Sequence, residues 1–231
     1  MKKALVISGT STIGTELIKQ MQQEYKQIIV TGRSQKKLEE LRRRFPQIQT
    51  MVLDVTRNPL DVLEKNQSLW QNLDFILICA GDGEINPSLE PEIEARILAV
   101  NVTGCGTVLQ YFIRLFLKKD EGHIAVITSL AGMLPNGDAA SYGASKAFLS
   151  HYITAIRMQL KKTKSHVILS DIRPGLVNTP MAKGDKLFWV APPEKAAKQI
   201  YKQLCRKKER IVVTKRWKAL YVICRLLPLD H

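Results

Sequence analysis

The sequence predicts one α/β domain with a doubly wound, mainly parallel sheet of seven strands and helices on both faces. Short β-branched or aliphatic runs alternate strictly with amphipathic segments, and parallel neighbours need helical crossovers of this kind. The chain also has 231 residues, of which 45% are hydrophobic. It is therefore long enough to bury one sizeable core.

The predicted elements follow from the period of the apolar residues. Apolar runs predict strands at 4–7, 27–30, 50–53, 75–79, 123–128, 166–172 and 210–214. Amphipathic spacing predicts helices at 13–24, 35–44, 91–101, 103–118, 144–160 and 193–205. No internal repeat or long linker divides the chain. We therefore expect one domain over 1–214, followed by a basic amphipathic helix or tail at 215–231.

In sheets of this class, ligands bind beyond the carboxyl ends of the strands, where the strand order reverses. The first predicted strand is followed by Ser-Gly-Thr-Ser-Thr-Ile-Gly at 8–14. Such a turn of small residues opens a helix whose free N–H groups and positive dipole end can hold a pyrophosphate. The turn is therefore a candidate nucleotide site.

Three side chains further along suit proton transfer at a carbonyl oxygen. Tyr142 and Lys146 are four residues apart, and Ser129 lies thirteen residues before Tyr142. Residues i and i+4 share one face of a helix, and a neighbouring cation lowers a tyrosine pKa from its usual value of about 10. Such a tyrosine can act as a general acid or base. The pair alone also fits an ordinary surface helix, because this spacing is common.

Cysteine and histidine usage favours a reducing cytoplasm and no metal. The four cysteines include no C-x-x-C pair, and the four histidines lack the spacing of metal ligands. Three N-terminal residues lead directly into the first strand, and no apolar run approaches the roughly 20 residues that span a bilayer. We therefore expect a cytoplasmic protein without a secretory peptide.

The net charge of +14 is concentrated near the end of the chain. From 198 to 231, ten basic residues face two acidic ones, Glu209 and Asp230, which leaves a net +8. This bias suggests an anionic partner, although a solvated helix face better explains any single lysine. No recognisable nucleic-acid module accompanies the charge, so we expect no nucleic-acid partner.

Taken in order, the motifs resemble the short-chain dehydrogenase/reductase family over about residues 4–214. The matching segments are the turn ending at Gly14, Leu-Asp-Val-Thr at 53–56, Cys-Ala-Gly at 79–81, Asn-Val-Thr-Gly at 101–104, Ser129, Tyr142 with Lys146, and Arg-Pro-Gly-Leu-Val-Asn-Thr at 173–179. Each motif is weak alone. Their shared order and the spacing from Ser129 to Tyr142 make chance similarity a poor explanation.

The resemblance implies a Rossmann-type domain that transfers hydride between a nicotinamide cofactor and a carbonyl or alcohol. Tyr142 would protonate the carbonyl oxygen, Ser129 would hydrogen-bond it, and Lys146 would favour the phenolate and hold the nicotinamide ribose. Asn101 would position a water that connects Lys146 to solvent. The residues that the resemblance assigns to the cofactor are Ser8, Gly9, Thr10, Ser11, Ile13, Gly14, Arg33, Ser34, Asp54, Val55, Ala80, Gly81, Tyr142, Lys146, Pro174, Gly175, Val177 and Thr179.

Charge at the end of the second strand favours NADP(H) over NAD(H). Gly32 stands where NAD-selective relatives carry an acidic residue for the ribose hydroxyl, and Arg33 follows it. A guanidinium there suits a 2′-phosphate, although a surface arginine at a helix start is the alternative. Asp54 should bind the adenine edge, and it could equally cap the next helix.

Two departures from the family pattern favour a second interpretation. Alignment on Gly14 leaves Ser8 and Thr12 at two positions that are usually glycine, and added side chains narrow the space for phosphate. The usual Asn-Asn-Ala-Gly is Ile-Cys-Ala-Gly at 78–81. A non-catalytic sensor or interaction protein that binds NADP(H) is therefore the alternative to an enzyme.

The segments after Thr179 bear on substrate and partners. A short lid containing Met181, Phe188 and Trp189 suggests an open, apolar site for a bulky or lipid-like substrate, or simply closure of the core. In the final helix, an apolar stripe with basic neighbours suits docking on the protein's own core or on a second subunit, or contact with a membrane surface. The stripe consists of Trp217, Leu220, Tyr221, Cys224 and Leu227. By resemblance, we expect a homodimer or homotetramer formed through the helices at 103–118 and 144–160.

Overall fold

A seven-stranded parallel sheet organises the chain. The computed structural model describes residues 2–182 and 188–226. The strand order is β3-β2-β1-β4-β5-β6-β7, and every neighbouring pair is parallel. The strands are β1 (Lys3–Ile7), β2 (Gln27–Gly32), β3 (Gln49–Val52), β4 (Phe75–Ile78), β5 (His123–Ile127), β6 (Ile168–Pro174) and β7 (Arg210–Val213). The predicted fold class is confirmed, and the strand order reverses between β1 and β4.

Eight helices connect and cover these strands in the described part of the chain. They are α1 (Thr12–Met21), α2 (Gln35–Arg44), α3 (Pro59–Lys65), α4 (Pro91–Leu98), α5 (Cys105–Lys119), α6 (Ala140–Lys162), α7 (Pro193–Leu204) and α8 (Lys215–Leu226). The sequence prediction missed α3, whose seven residues are too few for a clear amphipathic period. It also started α6 four residues late.

Alternating side chains of the strands build one core on each face of the sheet, as expected for a sheet buried on both sides. In β1, Leu5 and Ile7 pack with residues of α5 and α6. Ala4 and Val6 point the other way and pack with α1, α2 and α7. Both layers leave the carboxyl ends of the strands free for loops.

A π-helical turn at Ala99–Gly104 joins α4 and α5 into one continuous helix, where the sequence had predicted two. By length and composition alone, Pro91–Lys119 is long and apolar enough to cross a membrane, with a mean hydropathy of 1.2 over its most apolar window. The prediction that no such stretch exists was therefore wrong. Inside this fold, 56% of that window is buried, as in the core helix of a globular domain.

The final helix docks on the protein's own core through the first part of its predicted stripe. Trp217 and Tyr221 are 6% and 8% exposed and pack with Leu130 and Val212. A Cβ added at Gly175 would lie 2.3 Å from the Trp217 indole, so only glycine allows this approach. The side chains of Leu220 and Cys224, like all of Leu227, lie outside what the structure describes.

Candidate active site

The three proton-transfer candidates lie beyond the carboxyl end of β5, on α6 and on the turn that packs against it. Tyr142 and Lys146 lie one turn apart on α6, and Ser129 follows β5 directly. Lys146 is only 3% exposed. Its Nζ lies 5.8 Å from the centroid of the Tyr142 ring and 3.5 Å from the carbonyl oxygen of Ile127. Most of this lysine is buried, and its ammonium group faces the tyrosine.

The hydroxyl group of Ser129 can still donate a hydrogen bond. Its Oγ accepts a hydrogen bond of 3.1 Å from the backbone N–H of Ala131. A hydroxyl has one proton and two lone pairs, so accepting this bond fixes the oxygen and leaves the O–H able to donate elsewhere. The short 3-10 turn at Leu130–Gly132 therefore positions Ser129.

Asn101 connects the loop after β4 to helix α6. Its Oδ1 accepts from the N–H of Asp82 at 2.8 Å, and its Nδ2 donates to the carbonyl oxygen of Asp82 and to Oγ of Ser145 at 2.8 and 2.9 Å. The π-helical turn brings this side chain into the core, where it is fully buried. Its role in positioning a water stays a prediction.

Ion pairs that were not predicted from the sequence hold the loop after β4. Arg96 of α4 pairs with Asp82 at 2.8 Å and also with Glu84. Between these two acids, Gly83 packs against the ring of Tyr142. Two acidic residues in a loop and an arginine more than ten positions later carry no recognisable spacing. The sequence therefore offered no signal for this contact.

The turn after β1 forms despite the two missing glycines. Ser8 adopts a left-handed conformation with φ of 57°, the region that glycine enters most easily. Oγ of Ser11 caps α1 by accepting from the N–H of Gly14 at 3.2 Å. A Cβ at Gly14 would lie 2.8 Å from the carbonyl oxygen of Gly9. The turn is therefore compact, and the N-terminal end of α1 opens toward the site.

The strained serine gives a stability prediction. A side chain in the left-handed region costs roughly 1–2 kcal/mol, whereas glycine is tolerated there. We therefore expect Ser8→Gly to unfold in urea with a free energy about 1 kcal/mol higher than Ser8→Ala. Both variants lack the serine hydroxyl, so the comparison isolates the backbone. Equal free energies of unfolding would contradict the conformational argument.

Arg33 and Asp54 follow the neighbouring strands β2 and β3. Asp54 accepts hydrogen bonds from the N–H and the hydroxyl of Thr56, at 2.9 and 2.7 Å. Burial alone would raise the pKa of the Asp54 carboxyl, but these bonds, with the nearby charges of Arg57 and Arg33, lower it overall. Ser34 caps α2. Asp54 closes its own turn, and α3 is preceded by Asn58 instead, so the helix-cap alternative for Asp54 does not hold.

Three described cysteines carry free thiols. Cys205 is exposed, whereas Cys79 and Cys105 are buried. Burial raises the pKa of both thiols, that of Cys105 to about 11, so both are neutral near pH 7. Across 2–182 and 188–226, no group of three His, Cys, Asp or Glu residues could hold a metal ion.

The loop after β6 leaves the sheet and returns to it. Pro174 ends β6, and Gly175 donates its N–H to the carbonyl oxygen of Val213 at 2.7 Å. Val177 then pairs with Ala191 in an isolated bridge, so the lid from 178 to 190 starts and ends at one place. Residues 183–187 of this lid lie outside the described part.

Most of the chain matches a known family and relatives in sequence. The family described as short chain dehydrogenase matches residues 2–188. The chain belongs to the short-chain dehydrogenase family. An NADP-dependent 3-hydroxy acid dehydrogenase of Escherichia coli is 32% identical over 182 residues, which cover 75% of this chain and 71% of that protein. A very-long-chain 3-oxoacyl-CoA reductase of Coccidioides immitis is 30% identical over 84% of this chain and 58% of that protein.

A solved short-chain dehydrogenase supports the fold. The enzyme from Sphingobium yanoikuyae, in complex with NADPH, superposes with a TM-score of 0.82 at 17% identity, covering 100% of this chain and 98% of that one. As a short-chain dehydrogenase, the present chain is an oxidoreductase with a Rossmann-type sheet.

In this short-chain dehydrogenase, every predicted site residue lies at or just beyond the carboxyl edge of the sheet or on the helices that border it. After β1 come Ser8, Gly9, Thr10, Ser11, Ile13 and Gly14; after β2, Arg33 and Ser34; after β3, Asp54 and Val55; after β4, Ala80 and Gly81; at the end of β6 and after it, Pro174, Gly175, Val177 and Thr179. Their individual roles remain predictions.

Proposed function

We propose that the protein is an NADP(H)-dependent oxidoreductase that transfers hydride between nicotinamide and a carbonyl or secondary alcohol. The observation that carries this proposal is that Ser129, Tyr142 and buried Lys146 all lie beyond the carboxyl end of β5. Asn101 is bonded to Ser145, next to Lys146 on α6. Preorganised donors around one oxygen are what a developing alkoxide needs. The same set of side chains favours an enzyme over the non-catalytic alternative.

During reduction, the Tyr142 hydroxyl gives its proton to the substrate oxygen, and Ser129 Oγ donates a hydrogen bond to the same oxygen. The ammonium of Lys146, facing the Tyr142 ring, stabilises the phenolate that remains. In the oxidation direction, the same groups act in reverse, with Tyr142 as the base. Asn101 is a positioning residue, because its amide donates hydrogen bonds both to the backbone of Asp82 and to Ser145 of α6.

The residues present fit NADP(H). The compact turn at 8–14 leaves the N-terminal N–H groups of α1 open for the pyrophosphate. Arg33 would bind the 2′-phosphate, and Asp54 would bind the adenine edge beside it. Lys146 would hold the nicotinamide ribose, while the loop from Pro174 to Thr179 would border the nicotinamide. NADP(H), when bound, supplies or accepts the hydride.

For the substrate, we propose a 3-oxo or 3-hydroxy acyl compound with a bulky or lipid-like chain. The two named relatives, at 30% and 32% identity, both act by name at the third carbon of an acyl group. Exposed apolar side chains around the lid support a long chain: Met181, Phe188 and Trp189 are at least 41% exposed.

Steady-state assays of NADPH oxidation test this proposal. We expect turnover with 3-oxo esters, and kcat/KM that rises as the acyl chain lengthens, because each buried methylene contributes about 0.8 kcal/mol. Ketones of the same length that lack the ester group provide the control and should react more slowly. Absence of turnover with every carbonyl compound, despite tight NADPH binding, would favour the sensor alternative.

For the assembly, we propose a homodimer or homotetramer through α5 and α6. Phe148 is 42% exposed and stacks on Tyr152, whose hydroxyl accepts from Gln110 of α5 at 2.9 Å. An aromatic pair with one exposed ring suits a partner surface. Sedimentation velocity measures the state directly, and a monomer at micromolar concentration would reject the proposal.

For location, we propose the cytoplasm with peripheral membrane contact through α8. Val222 and Ile223 are 47% and 52% exposed, and the helix also exposes the cations Arg216 and Lys218. Apolar and basic side chains together favour an anionic lipid surface. In flotation with anionic liposomes, the full chain should bind and a chain ending at Thr214 should not. Neither floating would reject the contact.

A further inference from the structure

A cavity lies outside the predicted nucleotide site, between the end of the lid and the starts of α7 and α8. Its volume is about 530 Å³, within the range of small-molecule sites. The side chains that line it and could contact a ligand are Trp189, Pro192, Lys195, Gln199, Thr214 and Arg216.

The cavity carries the chemistry of a phosphate site. Lys195 and Arg216 bring two cations to one opening, and neither forms an ion pair with another residue in the described ranges. Arginine and lysine are the usual partners of phosphate groups. The hydroxyl of Thr214 and the amide of Gln199 add further hydrogen-bonding groups. The ligand should therefore be anionic.

Trp189 adds a planar apolar surface to this charged opening. Its backbone φ is 53°, a region rarely occupied by a bulky residue. The indole N–H of Trp217 donates to the carbonyl oxygen of Trp189 at 3.2 Å, and the two rings lie 5.7 Å apart in an edge-to-face arrangement. The protein therefore holds Trp189 in place. An aromatic ring beside cations suits a nucleobase with phosphates.

The position of the cavity separates it from the adenosine end of the cofactor site. Arg33 and Asp54 follow β2 and β3, at one end of the sheet, whereas Thr214 follows β7 at the other end. Ala191, which lines the cavity, pairs with Val177 of the loop after β6. The cavity therefore adjoins the loop that follows β6.

We propose that this cavity binds the nucleotide portion of a coenzyme A thioester substrate, while its 3-oxoacyl group reaches Tyr142. The inference rests on the proposed function and adds the carrier to which the acyl chain is attached. Coenzyme A combines an adenine ring with several phosphates, and a flexible arm separates them from the thioester. Trp189 contacts the ring, and the two cations bind the phosphates.

Calorimetric titration with free coenzyme A tests the site independently of turnover. The full chain is saturated with NADP⁺, so that the cofactor's own phosphate sites are filled. We expect coenzyme A to bind, the K195A/R216A variant to weaken binding at least tenfold, and pantetheine, which lacks the nucleotide, to bind poorly. The matched control K198A/K218A removes two exposed cations outside the cavity lining and should bind like wild type. No binding to wild type, or equal loss in both variants, would overturn the proposal.

Kinetics with two thioesters distinguish a failure of the proposed coenzyme A site from a failure of the proposed reductase activity. For acetoacetyl-coenzyme A, K195A/R216A should raise KM at least tenfold with little change in kcat. For the truncated acetoacetyl-N-acetylcysteamine, the same variant should change neither constant. Equal effects on both thioesters would overturn the inference while leaving the reductase intact. If simple 3-oxo esters are reduced and coenzyme A has no advantage over the truncated thioester, the inference alone fails. If no carbonyl compound is reduced, the proposed function fails.

Discussion

Replacing Tyr142 with phenylalanine should lower kcat for carbonyl reduction by about a thousandfold or more, within the range measured for general acids. The substitution keeps the ring against Gly83 and above Lys146, and it removes only the proton donor. NADPH binding, followed by nicotinamide fluorescence, should therefore persist. The free energy of unfolding should also change little, because Tyr142 is only partly buried and its hydroxyl donates no hydrogen bond to the described part of the protein.

The same substitution at Tyr152 is the matched control. Tyr152 lies on the same helix, and its hydroxyl contacts Gln110 on the outer surface. Tyr152→Phe should retain wild-type turnover, which excludes a general effect of losing a phenol from α6. Wild-type turnover in Tyr142→Phe would reject the mechanism, and loss of NADPH binding in that variant would indicate a structural role instead.

Replacing Arg33 with alanine should raise the Kd for NADPH by about 10- to 100-fold and leave the Kd for NADH almost unchanged. A hydrogen bond to a charged group contributes roughly 1.5–3 kcal/mol, and only NADPH carries the 2′-phosphate. The position beyond β2, near Asp54, places the guanidinium where the adenosine ribose is expected. Fluorescence titrations with both dinucleotides give the two constants.

Arg43 offers a control on the same helix. It is exposed in the last turn of α2, so Arg43→Ala removes a similar charge far from the strand end. If both arginine variants weaken NADPH equally, the effect is general electrostatic attraction by a basic protein. If Arg33→Ala weakens NADPH and NADH to the same extent, the residue does not read the phosphate.

The sheet and the edge that carries the site could be predicted because each follows from a local pattern. Apolar runs separated by amphipathic segments leave few alternatives to a parallel sheet. All parallel strands end at one edge, so Ser8, Arg33, Asp54 and Ser129 had to lie along it. The spacing of Tyr142 and Lys146 fixed their shared face once α6 was helical.

The remaining features depend on contacts between distant residues. Nothing near Asn101 in sequence indicates that its amide reaches Ser145, 44 positions later. The left-handed conformation of Ser8 could not be predicted either. A serine side chain at that position predicts a narrower turn, whereas the backbone adopts a conformation that glycine usually occupies. The docking of Trp217 on Gly175 joins residues 42 positions apart in sequence, and local periodicity gives no partner for such a stripe.

The indole of Trp217 joins the C-terminal helix to the edge of the sheet where the cofactor is predicted to bind. One ring contacts Gly175, beside the predicted nicotinamide position, and donates to the lid backbone at Trp189. Displacing α8 would therefore remove the contact with Gly175 and the hydrogen bond to Trp189 together. Coupling between binding events is reciprocal. If a partner tightens cofactor binding by favouring the docked helix, the cofactor therefore tightens binding of that partner by the same factor. The fraction of protein with bound dinucleotide would then depend on whether α8 is docked.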